Sequence, residues 1–243
     1  MKIEIPNSTY LFLLLFFLAG YFNYLYLFLL IIFIHESGHC IFGLLCNIEV
    51  SKIIIYPFGG ITVFNTDLNI SIKKEFICLI GGITFQLLFL FLIYYLFNNN
   101  LIDNYTFKII KRINYILISF NFMPILPLDG GKLLNLFLDL FFSYKYSNYI
   151  AIIISTISTI VFIMINKSIL SLILALFLIK GIILEIINLK LKYNKFILER
   201  YLNKYKFKKI KKIKNINQLK RDCYHIIDNT FEMTYLTKMF DRY

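Results

Sequence analysis

The chain has no tryptophan and little charge. Charged residues make up 16% of its 243 positions, against nearer one quarter in a soluble domain. With 59% hydrophobic residues, that shortage excludes an ordinary soluble globular protein. Residues 7–34 contain no charged side chain at all. Cysteine is scarce: Cys40, Cys46, Cys78 and Cys223 show no C-x-x-C spacing, which argues against a disulfide framework. No small-residue cleavage site follows the apolar N-terminal stretch, so a signal peptide is not expected. No internal repeat is visible, which excludes a solenoid. No nucleic-acid-binding motif accompanies the basic charge, so nucleic acid is not expected as a partner.

What remains is a chain of long apolar runs. Several approach or exceed the roughly 18 residues of a membrane span. The fold class expected is an all-α polytopic membrane protein, with about six transmembrane helices and a short membrane-associated β-hairpin. Spans are expected near residues 3–22, 24–46, 73–97, 106–142, 148–165 and 168–188. Gly20 and Asn23 mark the turn between the first two. The hairpin is expected in "NIEVSKIIIYPFGGITVF" (47–64), where β-branched residues flank Pro57, Gly59 and Gly60. The fourth span cannot be continuous helix, because "NFMPILPLDGGK" brings Pro124, Pro127, Gly130 and Gly131 into its middle. The bias towards Ile, Phe, Lys, Asn and Tyr is what an AT-rich genome imposes.

The net charge of +12 is concentrated at one end. Residues 189–243 hold 15 Lys and Arg against 5 Asp and Glu, or +10. The division expected is a transmembrane domain, 1–188, and a basic cytosolic tail, 189–243. The plain reading of the tail is topology and solvation; the sharper one is contact with anionic lipid or an acidic partner. Six spans put both termini on the cytoplasmic side. Lys2, Lys52, Lys73, Lys74 and Lys145 agree, whereas Lys108, Lys111, Arg112 and Lys167 fall on the other side.

Within this apolar background, "FIHESGHCIF" (33–42) is an island of polarity. It contains H-E-x-x-H. His35 and His39 are four apart and share a helix face, where two imidazoles can bind one zinc ion. Glu36 lies about 100° around the helix and can act as general base on a metal-bound water, whose pKa zinc lowers to roughly 7. A catalytic zinc needs a third protein ligand. His225 lies in the tail, and the carboxylates near the apolar part are Glu75, Asp129, Asp139 and Glu185. Asp129 stands out, since it follows two prolines and precedes two glycines in a span that must break. Intramembrane ionisable groups are costly and functional by default. The plain alternative is a buried polar pair that fixes helix packing. Asn121 reads equally as a helix C-cap or as an amide that orients substrate backbone. "GGITFQ" (81–86) reads as close helix packing through small residues.

Together, "HESGH" and "NFMPILPLDGGK" resemble the site-2 protease family of intramembrane zinc metalloproteases, and most of all its stage IV sporulation protein FB branch. "YPFGG" is similar to that family's hairpin, and the resemblance covers roughly residues 1–190. It implies His35, His39 and Asp129 as ligands of one zinc ion, Glu36 as catalytic base, and Asn121 and Pro127 beside the substrate. It implies a hydrolase of the bacterial cell membrane that cuts a membrane-associated protein within or near the bilayer, with regulatory membrane proteins as further partners. In the sporulation branch the substrate is a sigma-factor precursor. The tail does not match the nucleotide-sensing CBS domain of the better-known sporulation members. Two other readings are a non-catalytic membrane scaffold and a zinc transporter built on this fold.

Overall fold

The computed structural model describes residues 2–56, 59–203 and 205–240. It divides into two compact units: residues 1–66 with 76–122, and residues 67–75 with 123–243.

The first unit opens with strand β1 (Lys2–Glu4) and helix α1 (Asn7–Leu18). Gly20, at φ +77°, makes the turn into helix α2 (Phe22–Leu45). The expected hairpin is present as strands β2 (Glu49–Tyr56) and β3 (Gly59–Asn65), while Pro57 and Phe58 at its turn lie outside the described residues. β1 adds in parallel to β2, and β2 pairs antiparallel with β3, giving the order β1-β2-β3. Helix α3 (Ile72–Asn98) follows, then α4 (Asn104–Asn121), whose N-terminus is capped by Asp103 accepting from the Thr106 amide at 2.9 Å. Leu27, Ile31 and Ile32 of α2 pack with Ile93 of α3 and with Phe107, Ile110 and Leu117 of α4.

One contact brings α2 and α3 unusually close. A Cβ on Gly38 would lie 2.3 Å from the carbonyl oxygen of Gly81, and one on Gly81 would lie 2.6 Å from that of Gly38. Only paired glycines allow this backbone approach, as the small residues at 81 and 82 lead one to expect.

The second unit contains α5 (Asp129–Phe141), α6 (Tyr144–Ile165) and α7 (Ile169–Leu202). α7 has 34 residues, about 51 Å at 1.5 Å per residue, well beyond the roughly 30 Å hydrocarbon thickness. The lysine-rich end of the chain is folded. Strand β4 (Lys209–Ile213) pairs in parallel with β5 (Cys223–Ile227), which pairs antiparallel with β6 (Thr230–Phe231), and α8 (Glu232–Phe240) closes the unit. Phe196 and Ile197 of α7 share a core with Leu219, Ile227 and Leu236.

Buried charges fasten this core. Arg200 donates to Glu232 Oε1 at 2.7 Å, to the Asn69 side chain at 2.7 Å and to the Cys223 carbonyl at 3.1 Å, with Phe196 and Phe207 against the guanidinium. Arg221 bridges Asp139 at 3.1 Å and Glu75 at 2.6 Å, and donates to the Ile70 carbonyl at 2.7 Å. The link 67–75, between β3 and the body of α3, is therefore held by the end of the chain.

Four helices are long and apolar enough to cross a bilayer among the described residues: α2, α3, α6 and α7 from Ser171. The first expected span differs from expectation: residues 2–4 are strand, and α1 has 12 residues, about 18 Å. The expected fourth span breaks where the prolines demand it, α4 ending at Asn121 and α5 starting at Asp129.

Arg200→Ala should leave Glu232 buried without its guanidinium, at a cost of about 3–5 kcal/mol, read as faster tryptic cleavage within 203–240. Acid should act the same way. Burial raises the Glu232 carboxyl, but hydrogen bonds from His225 and Arg200 outweigh it and hold it below 4.5. Its contribution is full above pH 4.5 and fades as pH falls through the lower folded-state value.

Candidate metal centre

α2 is the helix that carries the polar island. His35, Glu36 and His39 are all buried on it. With one residue type every fourth position, the two imidazoles project from one face. Their rings meet edge to face, and the two Nε2 atoms are 3.1 Å apart.

The other nitrogen of each ring is committed elsewhere. His39 Nδ1 lies 2.9 Å from the Cys78 carbonyl oxygen, which can only accept, so Nδ1 carries the proton. His35 Nδ1 lies 2.9 Å from Gln86 Oε1, which selects the same tautomer. Both Nε2 atoms are then acceptors, turned towards one another. Two lone pairs this close repel unless a cation lies between them. Two nitrogens bound to one tetrahedral zinc at about 2.0–2.1 Å would be about 3.3 Å apart, so the donor pair fits a metal ion. Nδ1 hydrogen bonds to a carbonyl or carboxamide are also how metal-binding histidines are held.

α3 supplies this support because the Gly38–Gly81 contact draws it in. Gly82 makes the room: a Cβ there would lie 2.4 Å from His39 Nε2 and 2.7 Å from His35 Cε1. Asn121, the last residue of α4, places its amide nitrogen 3.5 Å from His35 Nε2. Phe122, and not Asn121, is the cap residue of that helix.

Glu36 faces the hairpin. Thr62 Oγ1 of β3 donates to Glu36 Oε2 at 2.5 Å. A Cβ on Gly60 would fall 2.5 Å from Glu36 Cγ, and one on Gly43 of α2 would fall 2.8 Å from the Phe64 ring. Gly60, Thr62 and Phe64 thus alternate onto one side of β3, which lies along α2, and at Gly60 no Cβ crowds the carboxylate.

In the second unit, Asp129 is the first residue of α5 and is buried. Lys132 Nζ lies 3.2 Å from Asp129 Oδ1, and the helix N-terminus favours a negative charge there. Gly131 lets α5 pack on the loop before it, its would-be Cβ being 2.5 Å from the Leu126 amide nitrogen. Pro127 packs on Gly181 of α7, where a Cβ would come within 2.4 Å of its ring.

The profile of peptidase family M50 matches residues 23–109, the segment that holds His35, Glu36, His39 and Gln86. The resemblance is to the site-2 proteases. Stage IV sporulation protein FB of Bacillus subtilis (strain 168) is 31% identical over 136 residues, covering 56% of this chain and 47% of that protein. A zinc metalloprotease of Methanocaldococcus jannaschii is 27% identical over 123 residues, covering 49% of this chain and 35% of that one. The chain spans about half the length, or less, of these curated relatives. The solved site-2 protease from Methanocaldococcus jannaschii superposes with a TM-score of 0.61 at 21% identity, covering 75% of this chain and 89% of that one. The fold is therefore that of a site-2 protease, and the resemblance read from the two motifs is borne out.

Residues 81–86 were expected to pack closely, but the contacts of Gly82 and Gln86 with the two imidazoles, and of Thr62 with Glu36, escaped sequence reasoning. A glutamine within an apolar helix was the available signal for Gln86. Thr62 gave none, since threonine is ordinary in a strand.

Gln86→Leu should remove the acceptor on His35 Nδ1 and weaken metal binding about 10–100-fold. Competition with a chelator of known affinity measures this. An unchanged affinity would mean that Gln86 does not orient the ring.

Proposed function

We propose that this protein is an intramembrane zinc metalloprotease, in which His35, His39 and Asp129 hold one zinc ion and Glu36 is the general base. The observation that carries the reading is the pair of imidazoles with both Nδ1 atoms committed and both Nε2 atoms converging at 3.1 Å. Asp129 completes the set as the buried carboxylate of the second polar island. When bound, zinc supplies Lewis acidity that makes water a nucleophile near neutral pH and polarises the scissile carbonyl.

The chain's own residues do the rest. Thr62 holds one oxygen of Glu36 and leaves the other to take a proton from the attacking water. The oxygen of that water adds to the peptide carbonyl carbon, and the C–N bond breaks as Glu36 passes its proton to the departing amine. Asn121 orients the substrate backbone from the end of α4, and Pro127 shapes the loop before Asp129. β3 pairs only with β2 among the described residues, so its other edge can receive an unwound substrate segment as an added strand. An unwound segment is required, because in a helix each carbonyl is already bonded within the turn.

The substrate class is a membrane-associated protein, and the resemblance of the two motifs to the sporulation branch points to a sigma-factor precursor as a candidate within that class. The location is a bacterial cell membrane, with both chain ends on the cytoplasmic side where the basic residues gather. The residues beyond 188 form a cytosolic tail. About six membrane segments are reached if α1, which at about 18 Å is too short to cross alone, and the broken α4–α5 stretch join the four long helices.

Glu36→Gln should keep zinc bound, since Glu36 is not a ligand, and lower peptide cleavage by about 10²–10⁴-fold or more. His35→Ala with His39→Ala should abolish zinc retention, measured as metal per purified chain. Near-normal cleavage by Glu36→Gln would remove the general base; full zinc in the double variant would remove the site. A scaffold or a zinc transporter would keep its activity in Glu36→Gln.

A further inference from the structure

Directly after α7, the chain carries Lys206, Lys208, Lys209, Lys211, Lys212 and Lys214 within nine residues, with no acidic residue among them. All six are exposed, and no carboxylate among the described residues forms an ion pair with any of them. The segment has a defined shape. β4 is an edge strand, bonded to β5 on one side alone among the described residues. Its side chains alternate. Ile213 is half-buried against the core that holds Leu219 and Ile227, whereas Ile210 points the other way and is 61% exposed. The outer side of the strand therefore presents an isoleucine flanked by Lys208 and Lys212, with further lysines at both ends.

The height of this strand is set by its neighbours. The Leu219 carbonyl accepts from the Tyr144 amide at 2.9 Å, the Asn217 carbonyl accepts from Ser143 Oγ at 3.0 Å, and Lys145 Nζ donates to Asn217 Oδ1 at 3.1 Å. Tyr144 is the first residue of a helix apolar and long enough to cross a bilayer. The stretch that follows β4 is thus anchored at the first turn of that helix, which is the depth of lipid headgroups if α6 crosses the bilayer.

We propose that the outer face of β4 is a docking surface for anionic phospholipid headgroups, with Ile210 entering the interface between the lysines. Unpaired positive charge, an exposed apolar residue in its midst and anchorage at the end of a membrane helix favour a lipid surface over an acidic polypeptide. Juxtamembrane clusters of this size attract anionic lipid, and the attraction acts within a Debye length of about 8 Å. The proposal rests on α6 and α7 crossing the bilayer, and not on the protease reading.

The test uses the full chain in nanodiscs, comparing pure phosphatidylcholine with a mixture containing phosphatidylglycerol. Hydrogen exchange across residues 206–214 should slow in the anionic discs, and added salt should reverse this. A variant with Lys208→Gln, Lys209→Gln, Lys211→Gln and Lys212→Gln should lose that protection and retain about tenfold less phosphatidylglycerol by native mass spectrometry. Unchanged exchange of β5 shows that the variant is folded. Equal exchange in the two lipids, or full protection in the variant, would overturn the proposal. So would protection by poly-glutamate in neutral discs without protection by phosphatidylglycerol, which would assign the face to an acidic polypeptide. Metal content and cleavage of a detergent-soluble peptide should be unchanged in the variant, which separates this test from that of Glu36.

Discussion

The backbone contact between Gly38 and Gly81 is the constraint on which the candidate metal centre depends. It draws α3 onto the face of α2 that carries the histidines. The Cys78 carbonyl then meets His39, Gln86 meets His35, and Gly82 leaves the space that the two rings fill. A methyl group on either contacting glycine would have to displace backbone rather than a flexible side chain. The consequence would be felt at both Nδ1 atoms without any change to the imidazoles themselves. Packing and chemistry are thus the same feature at this point of the fold.

The hairpin adds a second constraint, on Glu36 rather than on the histidines. A strand that crossed above the carboxylate with ordinary side chains would cover it. Gly60 leaves that place open, and Thr62 fixes one oxygen. β3 thereby serves the carboxylate on one face, while its edge away from β2, unpaired among the described residues, is left for another strand.

Much of the candidate site was legible in the sequence because its signals are local. H-E-x-x-H needs only helical periodicity to bring two imidazoles together. "ILPLDGG" needs only the stereochemistry of proline and glycine to announce a break that ends with a buried carboxylate. The hairpin was legible from its β-branched residues. Gln86 was not, because its partner lies 51 positions away and no spacing rule connects them. β1 is three residues paired in parallel to a strand some 50 positions on, and carries no local signal. The end of the chain read as a solvated basic tail because lysine dominates its composition. Its fold rests on a few apolar residues and on Arg200 and Arg221, whose partners reach back to Asn69, Ile70 and Glu75. The lysines from Lys190 onward read as the start of a tail, yet α7 runs on without a break to Leu202.

The uninterrupted length of α7 gives the second unit a stiff rod. At one point on it Gly181 seats the Pro127 ring, and 19 residues later Arg200 holds the core of the chain's last strands. With a rise of 1.5 Å per residue those points are about 28 Å apart, joined by helix and by no hinge. A rotation or tilt at the Arg200 end therefore has continuous helix as its path to the proline loop, with no intervening loop.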